Sequence, residues 1–216
     1  MTCSHCVGAG EFFDSRMARS ELKRYGKRGP RPTTRMMIAE LVRDHGAQDA
    51  DLLDIGGGIG AVQYELLAAG ASRATSVDAA PAYVQTAREE AAKRGLGDRI
   101  EHIEGDFLDV AQDVAEADLV SLDRVVCCYP DADALVREAA RKARSKMVLV
   151  APKDGRWVRF LFLFPNAYLR LRHNPFRVHV HSHASLDRSA EESGLRPTGR
   201  TYRGLWSVLS YERTRP

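Results

Sequence analysis

From Asp49 onward the chain repeats one pattern, a short apolar run that stops at a carboxylate or glycine, then a longer segment of helix formers. Leu52, Leu53 and Ile55 form the first run, which ends in Gly56-Gly-Gly-Ile-Gly60 and is followed by Ala61–Ala69 as a helix. Ala74–Val77 is stopped by Asp78, and Pro81, suited to a first helical turn, opens a helix to Arg94. A third strand, Arg99–Glu104, ends in Gly105-Asp106-Phe107, and a fourth, Asp118–Leu122, reaches Asp123. A helix over Asp131–Arg144 and a strand over Lys146–Ala151 complete five such units, which predicts a parallel sheet wrapped by helices.

The flanks follow other patterns. Glu11–Tyr25 is amphipathic, with Phe12, Phe13, Met17, Leu22 and Tyr25 along it, and Gly26-Lys-Arg-Gly-Pro-Arg-Pro32 breaks it. Thr33 or Thr34 can cap a second helix that runs through Met36, Met37, Ile38, Leu41 and Val42 to Gly46. We therefore divide the chain into an N-terminal arm or lid, residues 1–35, and a domain over 36–216 with an insertion at 153–182. That insertion is strongly apolar over Arg156–Pro165 and continues to Arg172 with alternating Leu and Arg. It reads as a packed helix, as a lid over an apolar substrate, or as a helix at a membrane interface, which makes residues 156–172 a candidate for peripheral membrane contact. A helix over Leu186–Ser193 and two strands, Thr198–Tyr202 and Leu205–Arg213, close the chain.

The glycine turn after the first strand carries the chemistry. Glycine permits backbone angles that other residues resist and lets a ligand approach the main chain, and the following helix N-terminus offers unpaired N–H groups. Gly56, Gly58 and Ala61 satisfy G-x-G-x-x-A, the dinucleotide fingerprint of an NAD(P)-dependent oxidoreductase, with Asp78 near the place of a ribose-binding acid. Asp54, Gly56, Gly58 and Gly60 also satisfy D-x-G-x-G-x-G. That pattern resembles the first motif of class I S-adenosylmethionine (SAM)-dependent methyltransferases.

The resemblance implies a Rossmann-like, doubly wound, mostly parallel seven-stranded α/β sheet of order 3-2-1-4-5-7-6, with SAM as cofactor and S-adenosylhomocysteine as product. The closing hairpin is usual there and foreign to dinucleotide dehydrogenases. It also implies roles at the strand ends: Asp54 reaching the methionine ammonium through water, Asp78 the ribose hydroxyls, Asp106 and Phe107 the adenine, and Asp123 with Arg124 the floor of the site. More narrowly, Ser121-Leu-Asp-Arg-Val-Val-Cys-Cys-Tyr-Pro-Asp131, Arg24-Tyr-Gly-Lys-Arg-Gly-Pro30 and the His179-Val-His-Ser182 tail resemble magnesium-protoporphyrin O-methyltransferases. That group commonly has a His before the Tyr-Pro pair; Cys128 stands there instead, and a thiol is a different acid–base group.

Methyl transfer to a carboxylate needs cations and little base catalysis, whereas a phenol, thiol or amine needs a base near neutrality. Tyr25, Cys128, Tyr129 and His181 are the candidate catalytic groups, and alternation would put His179, His181 and His183 on one face of an extended segment. The acceptor is expected to be a small anionic or aromatic molecule, with O-methylation favoured and no nucleic acid as partner. A SAM-binding regulatory protein without turnover is the reading outside enzymes.

Charge sharpens the division into arm and domain. Residues 1–35 carry eight basic and three acidic side chains, residues 36–142 ten and twenty-one, and residues 143–216 fourteen and five. An acidic cofactor domain is thus flanked by basic segments, which predicts that Lys23, Arg24, Arg28, Arg156, Arg159 or Arg177 meet an anionic acceptor or surface. The sequence has no membrane-spanning apolar run and no signal-peptide core, which with four cysteines suggests a reducing cytoplasm. Cys3-x-x-Cys6 has metal-ligand spacing and Cys127-Cys128 lies at the expected site edge, but no metal is assigned.

Overall fold

A parallel strand covered on both faces must be apolar on both, and successive side chains along it point to opposite sides. The computed structural model, which describes residues 8–10, 12–44 and 46–214, shows the result. Leu53, Val120 and Leu149 enter one buried cluster, whereas Leu52, Leu119 and Val148 enter another on the opposite face. Seven strands make one sheet: β1 (Asp51–Ile55), β2 (Arg73–Asp78), β3 (Ile100–Glu104), β4 (Ala117–Asp123), β5 (Ala143–Pro152), β6 (Leu195–Arg203) and β7 (Trp206–Arg213). Their order is β3-β2-β1-β4-β5-β7-β6, parallel through β5, with β7 antiparallel to both β5 and β6. This is the Rossmann-like topology implied by the glycine motif.

Helix α1 (Ser15–Arg28) starts later than the amphipathic pattern predicts, because Asp14 caps it by accepting from the Met17 N–H at 2.8 Å. It ends at Gly29, which takes φ +68°. Phe12 and Phe13 therefore precede the helix and pack on Phe176, and Phe13 also meets the ring of Tyr83. Helix α2 (Pro32–Leu41) crosses the 35/36 boundary drawn from sequence and lies against β5 and β7. Lys146, 3% exposed in β5, donates to the carbonyls of Glu40 and Arg43 at the end of α2 and pairs with Glu212 across the β5–β7 ladder at 3.1 Å.

The remaining helices are α3 (Ala61–Ala68), α4 (Pro81–Lys93), the single turn α5 (Phe107–Val110), α6 (Ala132–Lys142), α7 (Arg156–Leu171) and α8 (His183–Glu191). β6 begins at Leu195, so Pro197 lies inside it, and the ladder to β7 shifts register between Pro197 and Gly199. Proline is tolerated there because β6 is an outer strand.

Candidate active site

Gly56 leaves β1 with φ +68°, and a methyl group on it would stand 2.7 Å from the Val125 side chain, so both backbone angle and space require glycine. Beneath the turn, Asp54 is 1% exposed. Its oxygens accept from Ser121 Oγ at 2.6 Å and Gln63 Nε2 at 3.0 Å, and Gln63 also donates to Ser76 Oγ. Burial pushes the Asp54 carboxyl up to about 7. Asp54 is thus sealed under the loop instead of reaching a ligand, because strands β2 and β4 close over it through Ser76 and Ser121. It positions the turn.

Asp78, at the end of β2, accepts from the backbone N–H groups of Gly58 and Ala80, both at 2.8 Å, and borders the cavity. These bonds fix the carboxylate while burial raises its pKa. Gly58 therefore acts through Asp78, and Gly60, at φ +86°, through the entry into α3. Asp106 caps α5 through the Leu108 N–H and accepts from Tyr129 Oη at 2.7 Å. Phe107, at 1% exposure, packs in the core at the cavity floor.

The turn after β4 is the most constrained stretch of the site. Arg124 takes φ +62°, outside the usual range for an L residue, and its carbonyl accepts from the thiols of both Cys127 and Cys128. Its guanidinium lies over the Trp206 ring at 5.4 Å and donates to Thr33 and Thr34 of α2. Thr34 also donates to Asp123. Asp123 Oδ1 and Arg124 Nε are 3.6 Å apart, yet each is buried without a hydrogen-bond partner among the described residues, as is Arg24 Nε. Burial raises the Asp123 carboxyl, against the pull of Arg124, and burial with the nearby Arg31 lowers Arg24.

These groups surround one cavity of about 890 Å³, at the large end of small-molecule sites. The sheet supplies Gly56, Asp78, Asp106 and Asp123; the arm supplies Phe12, Phe13, Met17, Glu21 and Arg24; the insertion supplies Phe162, Phe176 and Val178. Cys128 and Tyr129 also border it. The Cys128 thiol is raised first by its hydrogen bond with Cys127 and then by burial, so it is held neutral.

Two of the sequence-predicted catalytic groups stand elsewhere. Tyr25 faces the core side of α1, where its hydroxyl donates to Glu65 at 2.9 Å and burial raises it to about 12. His181 sits behind Tyr129, its Nε2 against the Tyr129 carbonyl at 2.9 Å, and burial lowers its pKa. His179 stacks on His181 at 5.7 Å, but His183 leaves the alternation because α8 begins there; its Nε2 meets the Pro152 carbonyl. Of the basic residues expected to face an acceptor, Arg24 borders the cavity, whereas Lys23, Arg28, Arg156 and Arg159 are exposed on its outside. Arg124 borders it beside Asp123, where the sequence placed both, whereas Arg31 and Trp206 border it without having been singled out from sequence. The Cys3–Cys6 pair lies outside the described residues.

Residues 52–146 match the family model described as a methyltransferase domain. No curated protein matches the chain. Among solved structures, magnesium protoporphyrin IX methyltransferase from Synechocystis PCC 6803 with bound S-adenosylhomocysteine superposes with a TM-score of 0.73 at 20% identity, over 95% of this chain and 98% of that one. Its SAM-bound form gives 0.72 at 20% identity over 99% of each chain. An O-methyltransferase family protein from Burkholderia thailandensis gives 0.71 at 18% identity, over 93% of this chain and 60% of that one. The matched domain sits in a sheet with the strand order of the class I methyltransferase fold. Residues 52–146, a little under half of the chain, are a methyltransferase domain, and the whole chain shares its fold with structures that hold SAM or S-adenosylhomocysteine.

Proposed function

We propose that the enzyme O-methylates a carboxylate on a planar, largely apolar small molecule. The observation that carries this reading is the pair of half-buried guanidiniums, Arg24 and Arg124, whose buried Nε atoms lack hydrogen-bond partners among the described residues, in a cavity walled by Phe12, Phe13, Phe162, Phe176 and Trp206. Two guanidiniums suit two carboxylates, one on the methionine end of SAM and one on the acceptor, since a guanidinium grips a carboxylate with defined geometry.

The same cavity fits the cofactor. Asp78 is fixed by two backbone N–H groups for the ribose hydroxyls, Asp123 Oδ1 is an unsatisfied acceptor for the ammonium, and Asp106 with the Phe107 backbone borders the adenine end. SAM supplies a methyl group already activated on a sulfonium, so the protein's part is alignment and exclusion of water.

A carboxylate acceptor requires no proton removal near neutral pH. That agrees with a site where the Cys128 thiol is held neutral, His181 is turned to a carbonyl and the Tyr129 hydroxyl donates to Asp106. Magnesium protoporphyrin IX methyltransferase, which shares this fold, is named for a planar porphyrin, and that supports a planar acceptor here.

The test is methyl transfer from radiolabelled SAM to a panel of planar aromatic acids. A methyl ester releases methanol in mild alkali, and Arg124→Met should raise the acceptor KM by about tenfold or more, the loss of one charge-assisted bidentate contact. Alkali-stable labelling confined to phenols or amines would overturn the reading.

A further inference from the structure

Helix α7 carries a face that no described residue covers. Trp157, Phe160, Phe164, Tyr168 and Leu171 follow helical spacing and are 58% to 77% exposed. Leu163, also exposed, extends the apolar surface. The helix is not loosely attached. Val158 and Leu169 are buried on its inner side, and the Asn166 amide both donates to and accepts from the Val178 backbone at 2.8 Å. Its orientation, and so the outward direction of the aromatic stripe, is set by those anchors.

Charge says what the stripe meets. Arg156, Arg159 and Arg170 run along one flank of the helix, Arg172 follows its end, and no Asp or Glu occurs between Asp154 and Asp187. All four arginines are exposed. An apolar stripe with Trp and Tyr, flanked by arginines and empty of acids, suits the boundary between acyl chains and anionic headgroups, where arginine stems lie on apolar surface and their heads reach phosphate. A protein partner would need a compensating acidic rim, but nothing about it explains why residues 155–186 hold no acid. At 16 residues the helix is about 24 Å long, shorter than a bilayer core, and no described helix is long and apolar enough to cross one. Such a helix suits lying along a bilayer surface and not crossing it.

We propose that α7 docks this enzyme on the surface of an anionic bilayer, with Trp157, Phe160, Phe164 and Tyr168 in the interface. The inference stands on the exposed face and is independent of the acceptor class. One consequence joins the two: Phe162, on the inner side of the same helix, borders the cavity, so a single turn of α7 separates lipid from the acceptor site.

The experiment is co-sedimentation of the full-length protein with vesicles of phosphatidylcholine or of equimolar phosphatidylcholine and phosphatidylglycerol. Binding should favour the anionic vesicles and fall several-fold at about 0.5 M salt, where the Debye length has shrunk to a few ångströms. Phe160→Glu with Phe164→Glu should cut binding at least tenfold while SAM affinity by calorimetry stays at the wild-type value, since neither residue borders the cavity. Arg159→Gln should cost about fivefold on anionic vesicles and nothing on neutral ones. Equal sedimentation of wild type and the double variant would overturn the proposal. So would a wild-type dimer in sedimentation velocity that the double variant dissociates, because the stripe would then be the seat of a second copy.

Discussion

Asp54 shows how much a residue's place changes its chemistry. Its spacing to the glycines suggests a ligand contact, yet Ser121, Gln63 and Ser76 enclose it and leave it 1% exposed. Burial holds its carboxyl at about 7, above the ordinary value of about 3.9, so the fold prefers the protonated form. The stability linked to that preference is complete below about pH 4 and is lost as pH rises through about 7, up to about 4 kcal/mol. Asp54→Asn cannot ionise, and Gln63, whose Oε1 has no partner among the described residues, can turn its amide to accept from the new Asn. Urea midpoints measured from pH 4 to pH 8 should therefore show the wild type losing ground to Asp54→Asn; a constant gap would mean the carboxyl does not titrate there. Asp78 makes the opposite case. It borders the cavity, and Asp78→Ala should weaken SAM by about 1–3 kcal/mol in calorimetry through lost charge-assisted hydrogen bonds. Unchanged affinity would remove it from the ribose site.

Between elements, one helical step decides what a side chain does. Ala18, Leu22 and Tyr25 share the face of α1 that meets the core, while Met17, Glu21 and Arg24, one step round, border the cavity. Sequence periodicity groups such residues correctly, but it does not say which group meets ligand, and so Tyr25 reads as catalytic when its neighbour Arg24 has the better place. Strands were more legible, because a doubly covered parallel strand must be apolar and its acid at the carboxyl end then stands out. The start of β6 was not, since Pro197 is a breaker everywhere except on an outer strand. The α2–β5 contact was hidden for another reason: Lys146 looks like a strand-end surface lysine until Glu40, Arg43 and Glu212 surround it. Lys146→Met should cost about 2–3 kcal/mol, less than a fully buried pair because Glu212 keeps some solvent. A urea midpoint within error of wild type would show that the α2 terminus does not depend on this cation.

For the molecule as a whole, the cavity spans separate parts of the chain. Arm, sheet edge and insertion each contribute to the cavity wall, so ligand binding should tie them into one cooperative unit. At SAM concentrations of about 100 times Kd the gain is about 2.7 kcal/mol, which for a chain of this size raises Tm by about 5–10 °C. NAD at the same concentration should leave Tm unchanged, and an equal shift with NAD would contradict a site shaped for SAM. The topology was legible through the resemblance carried by the glycine motif and closing hairpin. Arg24 and Arg124 were each legible, from the basic flank and from the end of the fourth strand, but their convergence with Arg31 was not, because folding alone brings the three together.

An open sheet has two rims, and a rim is where one molecule can be continued by another. Along β6 the missing N–H of Pro197, the register shift before Gly199 and the charges of Arg196, Arg200 and Arg203 all obstruct an incoming strand. The other rim, β3, is short and carries Glu101 and Glu104. These features keep the sheet finite at seven strands in a crowded solution. Replacing Pro197 and Arg200 together with valine should leave the fold intact yet start a concentration-dependent rise in light scattering; a variant that stays clear would mean that the register shift by itself keeps β6 from pairing between chains.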